Sequence, residues 1–416
     1  MKKNSIVAVL DIGSSKIACA IGNYNYAKNK TDIVSFAHQM SKGVKHGRIV
    51  NVDEAANVII EVLSTAEEAS RYNIENIIVS VSGGKIVSEV VMGSLNINNQ
   101  QIKEKDLKRL IKNTLDRINQ EEYDILHYIP AEFKVDNISG VTHPIGMVCK
   151  KLSAYLNVIL VPTSIINNLE NCLSKCQLNI SDLVVSTYAA GLGVLTQEEK
   201  EQGVILIDFG ASATSVSVYS QGMIKAIKII PIGSEHVTKD IAAAFGIHPQ
   251  IAEKIKIIYG NLDTDQFNYE KIISLSEIDS LDNEQVIEYQ SLYEVIIARI
   301  DEITEYILKG LLEEHNNYYY NTINQVVITG GGAKLNGLDK YLKYKLDKRV
   351  SVGYTNYLPA MDNNELDLLY GPEFANLIGL INYFTKKQIL NYELHVEKQT
   401  HTTHWLSKLF KIFTKI

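Results

Sequence analysis

The chain has 416 residues, of which 46% are hydrophobic and 21% are charged, and its formal net charge is −7. These values are typical of a globular protein with more than one structural unit, and the acidic balance gives no reason to expect a nucleic-acid partner. No apolar run approaches the roughly 18 residues that a membrane-spanning helix needs, and the N-terminal apolar run stops at Asp11. We therefore expect neither a transmembrane helix nor a signal peptide. The four cysteines lack zinc-ligand spacing, which predicts free buried thiols in a reducing cytosol.

The first elements predict an α/β unit. Residues 5–22 are typical of a strand, a turn with the sequence DIGSSK and a returning strand. Residues 53–71 carry apolar side chains at helical spacing, and we expect Asp53 to cap this helix. The stretch IENIIVSVSG then predicts a buried strand.

Residues 85–163 differ in character and predict a small inserted α+β unit. Strand-like segments flank one charged amphipathic helix, KEKDLKRLIKNTLDRIN. A helix at 164–178 and a strand that enters the small-residue segment STYAAG then continue the main unit.

The opening pattern returns at residues 203–221, again as strand, D-x-G turn and strand. This repeat predicts two related halves. Helical stretches at 235–259 and 290–315 follow, and the strand in QVVITGGGAKLNGL then runs into a glycine triplet. We expect the globular part to end with a helix at 365–385, and the polar residues 386–403 predict a flexible linker.

The two D-x-G turns are candidate phosphate-binding loops. Glycine lets the backbone approach an anion closely, and backbone N–H groups, serine hydroxyls and a lysine can all contact phosphate. The aspartates cannot bind phosphate directly, but they can hold a hydrated Mg²⁺. The candidate phosphate-binding residues are Asp11, Gly13, Ser14, Ser15, Lys16, Asp208, Gly210, Ala211 and Ser212, with Asp11 and Asp208 as the magnesium-holding pair.

The alternative interpretation is that each D-x-G is only a hairpin turn, because Asp and Gly favour turns. The glycine triplet Gly330–Gly332 favours the phosphate interpretation, since a backbone without side chains could admit a purine ring there. Three glycine-containing turns after apolar strands are more specific than any one of them.

The order of these motifs resembles the phosphate-1, phosphate-2 and adenosine motifs of the superfamily that contains actin, the heat-shock chaperone ATPases and the sugar kinases. Within it, the whole chain resembles the FtsA family of bacterial cell division proteins. The stretches SKGVKHGRIVNVDEA and GPEFANLIGLINY are similar to family segments. The inserted unit is the most specific match, through His127, Pro130, Asp136, Gly140, Pro144, Gly146 and Met147.

The resemblance implies an actin-like, duplicated ribonuclease H-like two-lobed ATPase fold with an inserted α+β subdomain and a C-terminal amphipathic helix. Subdomain 1A would comprise 1–84, 164–200 and the helix 365–385. Subdomain 1C would be 85–163, subdomain 2A would comprise 201–234 and 300–364, and subdomain 2B would be 235–299. The linker would be 386–403 and the membrane-targeting helix 404–416.

The resemblance also implies a nucleotide site for ATP and Mg²⁺. Glu253 and Lys256 match a pair that contacts the ribose, although alone they would suggest only an i, i+3 surface ion pair. The implied ribose- and adenine-binding residues are Glu253, Lys256, Gly330, Gly331, Gly332, Ala333 and Leu335. In the second loop Ala211 and Ala213 replace a glycine and a threonine of the family pattern, so we expect at most weak ATPase activity and assign no catalytic residue.

The last residues predict an amphipathic helix that lies on a membrane surface. At 100° per residue the apolar side chains fall within an arc of about 160° and the lysines lie on the other side. The candidate membrane-binding residues are Trp405, Leu406, Lys408, Leu409, Phe410, Lys411, Ile412, Phe413, Lys415 and Ile416. The alternatives are a helix packed on the protein's own core and a calmodulin-like partner.

The resemblance implies a protein that polymerises on the cytoplasmic face of the inner membrane at the division septum. Subdomain 2B would grip the C-terminal peptide of the tubulin-like protein FtsZ, subdomain 1C could bind other division proteins, and the last helix would bind anionic lipids. The rival hypotheses are a sugar-kinase-like phosphotransferase and a chaperone-like ATPase. Neither explains the amphipathic end.

Overall fold

A computed structural model describes residues 5–83, 86–118, 121–263, 271–278, 285–312, 317–356 and 364–400. Within these ranges the strands are β1 (Ser5–Ile12), β2 (Lys16–Asn25), β3 (Lys30–Met40), β4 (Val44–Lys45), β5 (Arg48–Ile49), β6 (Asn76–Val81), β7 (Val87–Gln101), β8 (Tyr123–Val135), β9 (Ile138–Val141), β10 (Val148–Pro162), β11 (Asn179–Val185), β12 (Val204–Phe209), β13 (Thr214–Ser220), β14 (Met223–Ile230), β15 (Ile272–Ser274), β16 (Val286–Glu288), β17 (Gln325–Thr329) and β18 (Arg349–Val352).

Helices lie between several of these strands and after the last one. They are α1 (Val52–Ser70), α2 (Glu104–Leu115), α3 (Thr163–Lys175), α4 (Ser186–Val194), α5 (Gln197–Gln202), α6 (Ser234–Phe245), α7 (Pro249–Tyr259), α8 (Tyr289–Leu312), α9 (Asn317–Thr322), α10 (Leu338–Leu346), α11 (Asn364–Asp367) and α12 (Ala375–Thr400), with 3₁₀ turns at Leu275–Glu277, Gly331–Lys334, Leu368–Tyr370 and Pro372–Phe374.

Two five-stranded sheets share one topology, which confirms the predicted duplication. The first lobe is built on the sheet β3–β2–β1–β6–β11 and the second lobe on β14–β13–β12–β17–β18. In each sheet the first three strands pair antiparallel and the last three pair parallel. The central strand β12, VILIDF, is buried along its whole length, as expected for a strand that helices cover on both faces.

The inserted unit is a subdomain with a core of its own. Its four-stranded sheet has the order β7–β10–β8–β9, and α2 covers one face with Leu107, Leu110 and Ile111. The subdomain also bonds to the second lobe: Lys225 Nζ donates to the carbonyl of Ala131 at 2.6 Å.

The N-cap of the first long helix, α1, lies two residues before the predicted cap. Asn51 is the N-cap, and its side-chain oxygen accepts from the backbone N–H groups of Asp53 and Glu54. The prediction of Asp53 as the cap was therefore wrong. Asp53 lies in the first turn, where its negative charge interacts favourably with the helix dipole. Its Oδ1 forms an ion pair with Lys175 Nζ at 2.5 Å.

The predicted helix at 365–385 was wrong at both ends, because a short helix and two 3₁₀ turns occupy residues 364–374 and α12 begins only at Ala375. Helix α12 continues to Thr400, so the prediction of a flexible linker was wrong for residues 386–400. This stretch contains no glycine or proline, and its Lys, Gln, Leu and Glu residues are good helix formers. Residues 401–403 of the predicted linker and the predicted membrane-binding helix 404–416 lie outside the described residues.

Helices α4 and α12 pack against each other with almost no space between their backbones. A Cβ atom built at Gly379 of α12 would lie 1.8 Å from the carbonyl oxygen of Ala189 in α4. Only glycine allows this approach.

In the part of the chain that the structure describes, no helix is long and apolar enough to cross a membrane.

Candidate functional site

A cleft of about 810 Å³ lies between the two lobes, at the carboxyl ends of their parallel strands. Fifteen of the sixteen residues assigned to the nucleotide from sequence line it, and they are Asp11, Gly13, Ser14, Ser15, Lys16, Asp208, Gly210, Ala211, Ser212, Glu253, Lys256, Gly330, Gly331, Gly332 and Leu335. The sixteenth, Ala333, is buried. The fold thus brings together motifs that are far apart in the chain.

The two D-x-G loops have the same local geometry. The backbone N–H of Gly13 donates to the carbonyl of Lys16 at 2.9 Å, and that of Gly210 donates to the carbonyl of Ala213 at 3.0 Å. Each loop also connects two antiparallel strands. Each D-x-G is therefore a hairpin turn, as the alternative interpretation predicted, and a hairpin turn can also bind phosphate.

The loops touch each other across the cleft. Ser14 Oγ lies 2.9 Å from Ser212 Oγ, and Ser14 Oγ also accepts from the backbone N–H of Gly47 at 2.8 Å. One serine comes from each lobe. A phosphate placed here could accept from both hydroxyls.

Two buried carboxylates lie behind the loops. Asp11 and Asp208 are 8% and 9% exposed, and Ser80 Oγ donates to Asp11 Oδ1 at 2.5 Å. Burial raises the pKa of Asp11, while the Ser80 hydrogen bond and the Lys16 charge oppose the rise. Burial and the charge of Asp11 raise the pKa of Asp208 to about 6, against the charge of Lys16 and a hydrogen bond from Asn376. Such a pair favours a cation between or near the two groups.

Lys16 brings a cation to the same place. Its Nζ donates to the carbonyl of Glu373 at 2.6 Å and lies 4.0 Å from the centre of the Phe374 ring. Burial lowers the pKa of Lys16, and the charges of Asp11 and Glu373 work against this lowering. The first loop therefore holds a half-buried lysine beside a buried carboxylate.

The glycine triplet closes the cleft on the side of the second lobe. Gly330 has a φ of +85°, and a Cβ atom there would lie 2.2 Å from Asp208 Oδ1. At Gly331, in contrast, the nearest heavy atom would be Glu373 Cβ at 4.0 Å. The first glycine is required by the backbone, and the second leaves open space at the cleft surface.

Glu253 and Lys256 do form the i, i+3 ion pair that the cautious interpretation suggested, at 2.7 Å. Lys256 Nζ also donates to the hydroxyl of Thr238 at 2.8 Å and to the carbonyl of Ser234 at 3.2 Å. The pair is thus fixed to the start of α6 at the edge of the cleft.

Several residues that line the cleft were not predicted from the sequence. They include Gly47, Ser82, Gly83, Ser186, Thr187, Ser215, Ser234, Lys334, Glu373 and Asn376. A signal existed for some of them, because Ser82 and Ser186 directly follow the parallel strands β6 and β11, and residues after parallel strands meet at one sheet edge.

The cleft can accept a polyanion together with a cation. Over the described ranges, no group of three or more His, Cys, Asp or Glu residues could hold a metal ion. A metal ion at Asp11 and Asp208 would therefore depend on ligands from a bound molecule, and phosphate oxygens are suitable donors for Mg²⁺.

Comparison with protein families gives two matches that together cover more than half of the chain. Residues 205–379 match the model described as cell division protein FtsA, and residues 83–160 match the SHS2 domain inserted in FtsA. The second match overlaps the inserted subdomain at 85–163, so the inserted unit predicted from sequence is confirmed.

Similar curated proteins extend along nearly the whole chain. The cell division protein FtsA of Agrobacterium fabrum is 28% identical over 405 residues, which cover 95% of this chain and 89% of that protein. The protein of the same name from Escherichia coli is 24% identical over 411 residues, covering 97% and 96%.

Solved structures show the same fold at low identity. A PilM–PilN type IV pilus biogenesis complex has a TM-score of 0.62 and 17% identity, with 90% of this chain and 97% of that chain covered. Spiroplasma citri MreB5 bound to AMPPNP has a TM-score of 0.56 and 13% identity, with 93% and 98% covered. These likenesses confirm the actin-like two-lobed fold.

Proposed function

Since this chain belongs to the FtsA family of bacterial cell division proteins, we propose that it binds ATP with Mg²⁺ between its lobes and tethers FtsZ filaments to the cytoplasmic membrane. The observation that carries the nucleotide part is the contact of the two matched loops through Ser14 and Ser212. The tether part rests on the family and on the sequence of the last residues.

The phosphates would lie at the two loops. Backbone N–H groups of the turns, the hydroxyls of Ser14, Ser15 and Ser212, and the ammonium group of Lys16 are the available donors. Charge-assisted hydrogen bonds of this type are about twice as strong as neutral ones. They would replace the serine–serine contact with two contacts to one anion.

Mg²⁺ would be held near Asp11 and Asp208. These carboxylates are buried and their pKa values are raised, so a cation relieves an unfavourable pair of charges. When bound, the cation neutralises phosphate charge. The adenosine would extend toward the glycine triplet, where Gly331 leaves open space, and the Glu253–Lys256 pair would contact the ribose.

Hydrolysis would be weak. Ala211 and Ala213 both line the cleft and carry no hydroxyl that could polarise a phosphate or a water. We propose that the nucleotide sets the conformation and the assembly state, with slow turnover at most.

The other assignments follow from the family. Subdomain 2B, residues 235–299, would bind the C-terminal peptide of FtsZ, and large apolar side chains exposed there include Ile258, Ile272 and Val286. The body would self-associate into filaments, the inserted subdomain would contact other division proteins, and the last helix would bind anionic lipids at the septum. Filament formation gives avidity to an anchor that is weak alone.

One experiment tests the tether directly. The purified full chain is titrated with a fluorescent FtsZ C-terminal peptide in the presence of ATP and Mg²⁺, with a scrambled peptide as the control. Saturable binding of the FtsZ peptide is expected, together with ATP binding by calorimetry. Equal binding of both peptides would contradict the proposal.

A further inference from the structure

Two histidines face each other at the mouth of the cleft, one from each lobe. His46 lies between β4 and β5 of the first lobe, and His236 lies in the first turn of α6 in the second lobe. Their ring centres are 6.4 Å apart, and the ring planes are inclined by 38°. The neighbouring residue Gly47 donates its N–H to Ser14 Oγ, and Ser234, two residues before His236, lines the cleft. The pair therefore lies beside the two phosphate loops.

The backbone holds His46 in a defined position. The short strands β4 and β5 pair through Lys45 and Arg48, so His46 and Gly47 form a two-residue hairpin loop. Both have positive φ angles, +50° and +67°, as a type I′ turn requires. The imidazole of His46 therefore projects from a short antiparallel ladder rather than from a long loop.

The ring of His236 is held by the backbone at the start of its own helix. Its Nδ1 lies 3.1 Å from the backbone nitrogen of Gly233 and 3.3 Å from the carbonyl oxygen of the same residue. When Nδ1–H donates to this carbonyl, the lone pair is on Nε2, the other ring nitrogen. A histidine that binds a metal ion through Nε2 has this arrangement, in which the second nitrogen donates to a carbonyl or carboxylate.

The charges around His236 allow a cation to approach. Two cations of the same lobe are paired with acids: Lys239 with Glu235 at 2.7 Å, and Arg299 with Asp240 at 2.5 Å. Burial lowers the pKa of His236, so its imidazole is neutral at pH 7.5. Neutral imidazole is the form that binds a metal ion.

The separation of the rings suits two imidazoles that share one metal ion. Zinc binds an imidazole nitrogen at about 2.0–2.1 Å, which places the centres of two rings on one ion about 5–6.5 Å apart. The observed 6.4 Å is at the upper end of this range, and rotation of the exposed His46 ring can shorten it. Over the described ranges no group of three or more His, Cys, Asp or Glu residues could hold a metal ion, so water or a bound anion would complete the coordination.

We propose that His46 and His236 form a two-histidine site for a divalent transition-metal ion, for which Zn²⁺ is the probe. Imidazole is a suitable ligand for zinc, copper and nickel. Because each lobe provides one ligand, the ion binds tightly only when the lobes are as close as they are in this structure, and it stabilises that arrangement. The site does not depend on the proposed nucleotide function.

The test titrates Zn²⁺ by calorimetry into the metal-free full chain at pH 7.5 without nucleotide. The variants are His46→Asn, His236→Asn and the double variant. Asparagine followed by glycine is a preferred type I′ turn, so His46→Asn keeps the hairpin. In His236→Asn the amide retains a polar group near Gly233 and removes Nε2. The control is His143→Gln, because His143 is an exposed histidine of the inserted subdomain.

We expect each asparagine variant to bind the tightest zinc equivalent at least about tenfold more weakly than wild type. The double variant should resemble the single variants, because the two ligands act as one unit, and His143→Gln should behave like wild type. Wild-type affinity in either asparagine variant, or the same weakening in His143→Gln, would overturn the inference.

The melting temperature gives a second readout. Zinc at about 100 times its Kd should raise the melting temperature of wild type and of His143→Gln by about 3–5 °C. It should not raise that of either asparagine variant. An equal rise in wild type and in the double variant would place the bound zinc elsewhere and overturn the inference. ATP binding of wild type, measured separately, tests the proposed nucleotide function, so the two failures are distinguishable.

Discussion

His127 of the inserted subdomain accepts a hydrogen bond from the backbone N–H of Val185, with Nε2 and N 3.0 Å apart. Val185 is the residue immediately before α4. The imidazole is half-buried, and its removal from water lowers the pKa of His127 to about 4. The inserted subdomain therefore holds the backbone at the start of the helix that reaches the floor of the cleft.

His127→Leu should destabilise the protein at neutral pH. The variant leaves the Val185 N–H without its acceptor, which costs about 1–3 kcal/mol. Urea denaturation at pH 7.5 measures this loss. An unchanged free energy of unfolding would mean that the hydrogen bond contributes nothing.

The same residue should make stability depend on pH. The pKa of His127 is lower in the folded protein, at about 4, than the unfolded value of about 6.5. Between these values the unfolded chain binds a proton and the folded protein does not, so stability falls as pH decreases from 6.5 to 4, by up to about 3 kcal/mol from this group. Denaturation curves of wild type and His127→Leu across that window should converge as pH falls. Parallel curves would contradict the assignment.

Mg²⁺-dependent ATP binding should weaken below pH 6. The pKa of Asp208 is about 6, and only the carboxylate form holds a cation, so a proton competes with Mg²⁺ at lower pH. Calorimetric titrations from pH 5 to 8 measure the effect, with Asp208→Asn as the control that retains the proton dependence of the nucleotide and of Asp11. Identical pH profiles for the two proteins would exclude Asp208 as a magnesium-holding residue.

Adjacent glycines should respond oppositely to substitution. Gly331→Phe should fold with an unchanged melting temperature, since a side chain there meets open space, and it should weaken ATP binding at least about tenfold by filling the cleft. Gly330→Ala should instead lower stability by about 1–3 kcal/mol, because φ is +85° and the methyl group would overlap Asp208. Thermal melts and ATP titrations of both variants check this. Normal ATP affinity in Gly331→Phe would place the adenosine elsewhere.

Deletion of residues 404–416 should abolish sedimentation with anionic liposomes and leave ATP binding unchanged. The deleted residues hold the apolar face and the lysines that we expect to bind lipid. Leu409→Asp in the full chain is the matched control with a single altered position, and it should reduce sedimentation. Full sedimentation of the deletion variant would end the membrane-helix hypothesis.

Sequence predicted the parts of the fold that depend on local signals. The D-x-G loops and the glycine triplet each follow an apolar strand directly, so a few residues were enough to predict where these turns lie and that their backbones require glycine. Two boundaries were predicted wrongly. Asn51 rather than Asp53 caps α1; both side chains can accept a hydrogen bond and they are only two residues apart, so the sequence does not distinguish them. Helix α12 continues to Thr400, because a polar composition does not prevent a helix.

The missed cleft residues depend on topology. Thr187 is a small residue at the start of a short, glycine-rich helix, and nothing in STYAAG suggests a ligand. Its place becomes visible only when β11 is aligned with β6 and β1. Asn376 likewise could not be predicted. It hydrogen-bonds to Asp208 of the second lobe because it lies at the start of α12, where the chain crosses the cleft on its way back to the first lobe.

The inserted subdomain is bonded to both lobes at once. It meets the first lobe through His127 and Val185, and it meets β14 of the second lobe through Lys225 and through Asn157, whose Nδ2 donates to the carbonyl of Ile224 at 2.7 Å. A rotation of one lobe against the other must strain or break one of these two attachments. The position of the subdomain therefore depends on how far the cleft is open. A protein bound to the outer surface of the subdomain would respond to nucleotide binding or release without contacting the nucleotide.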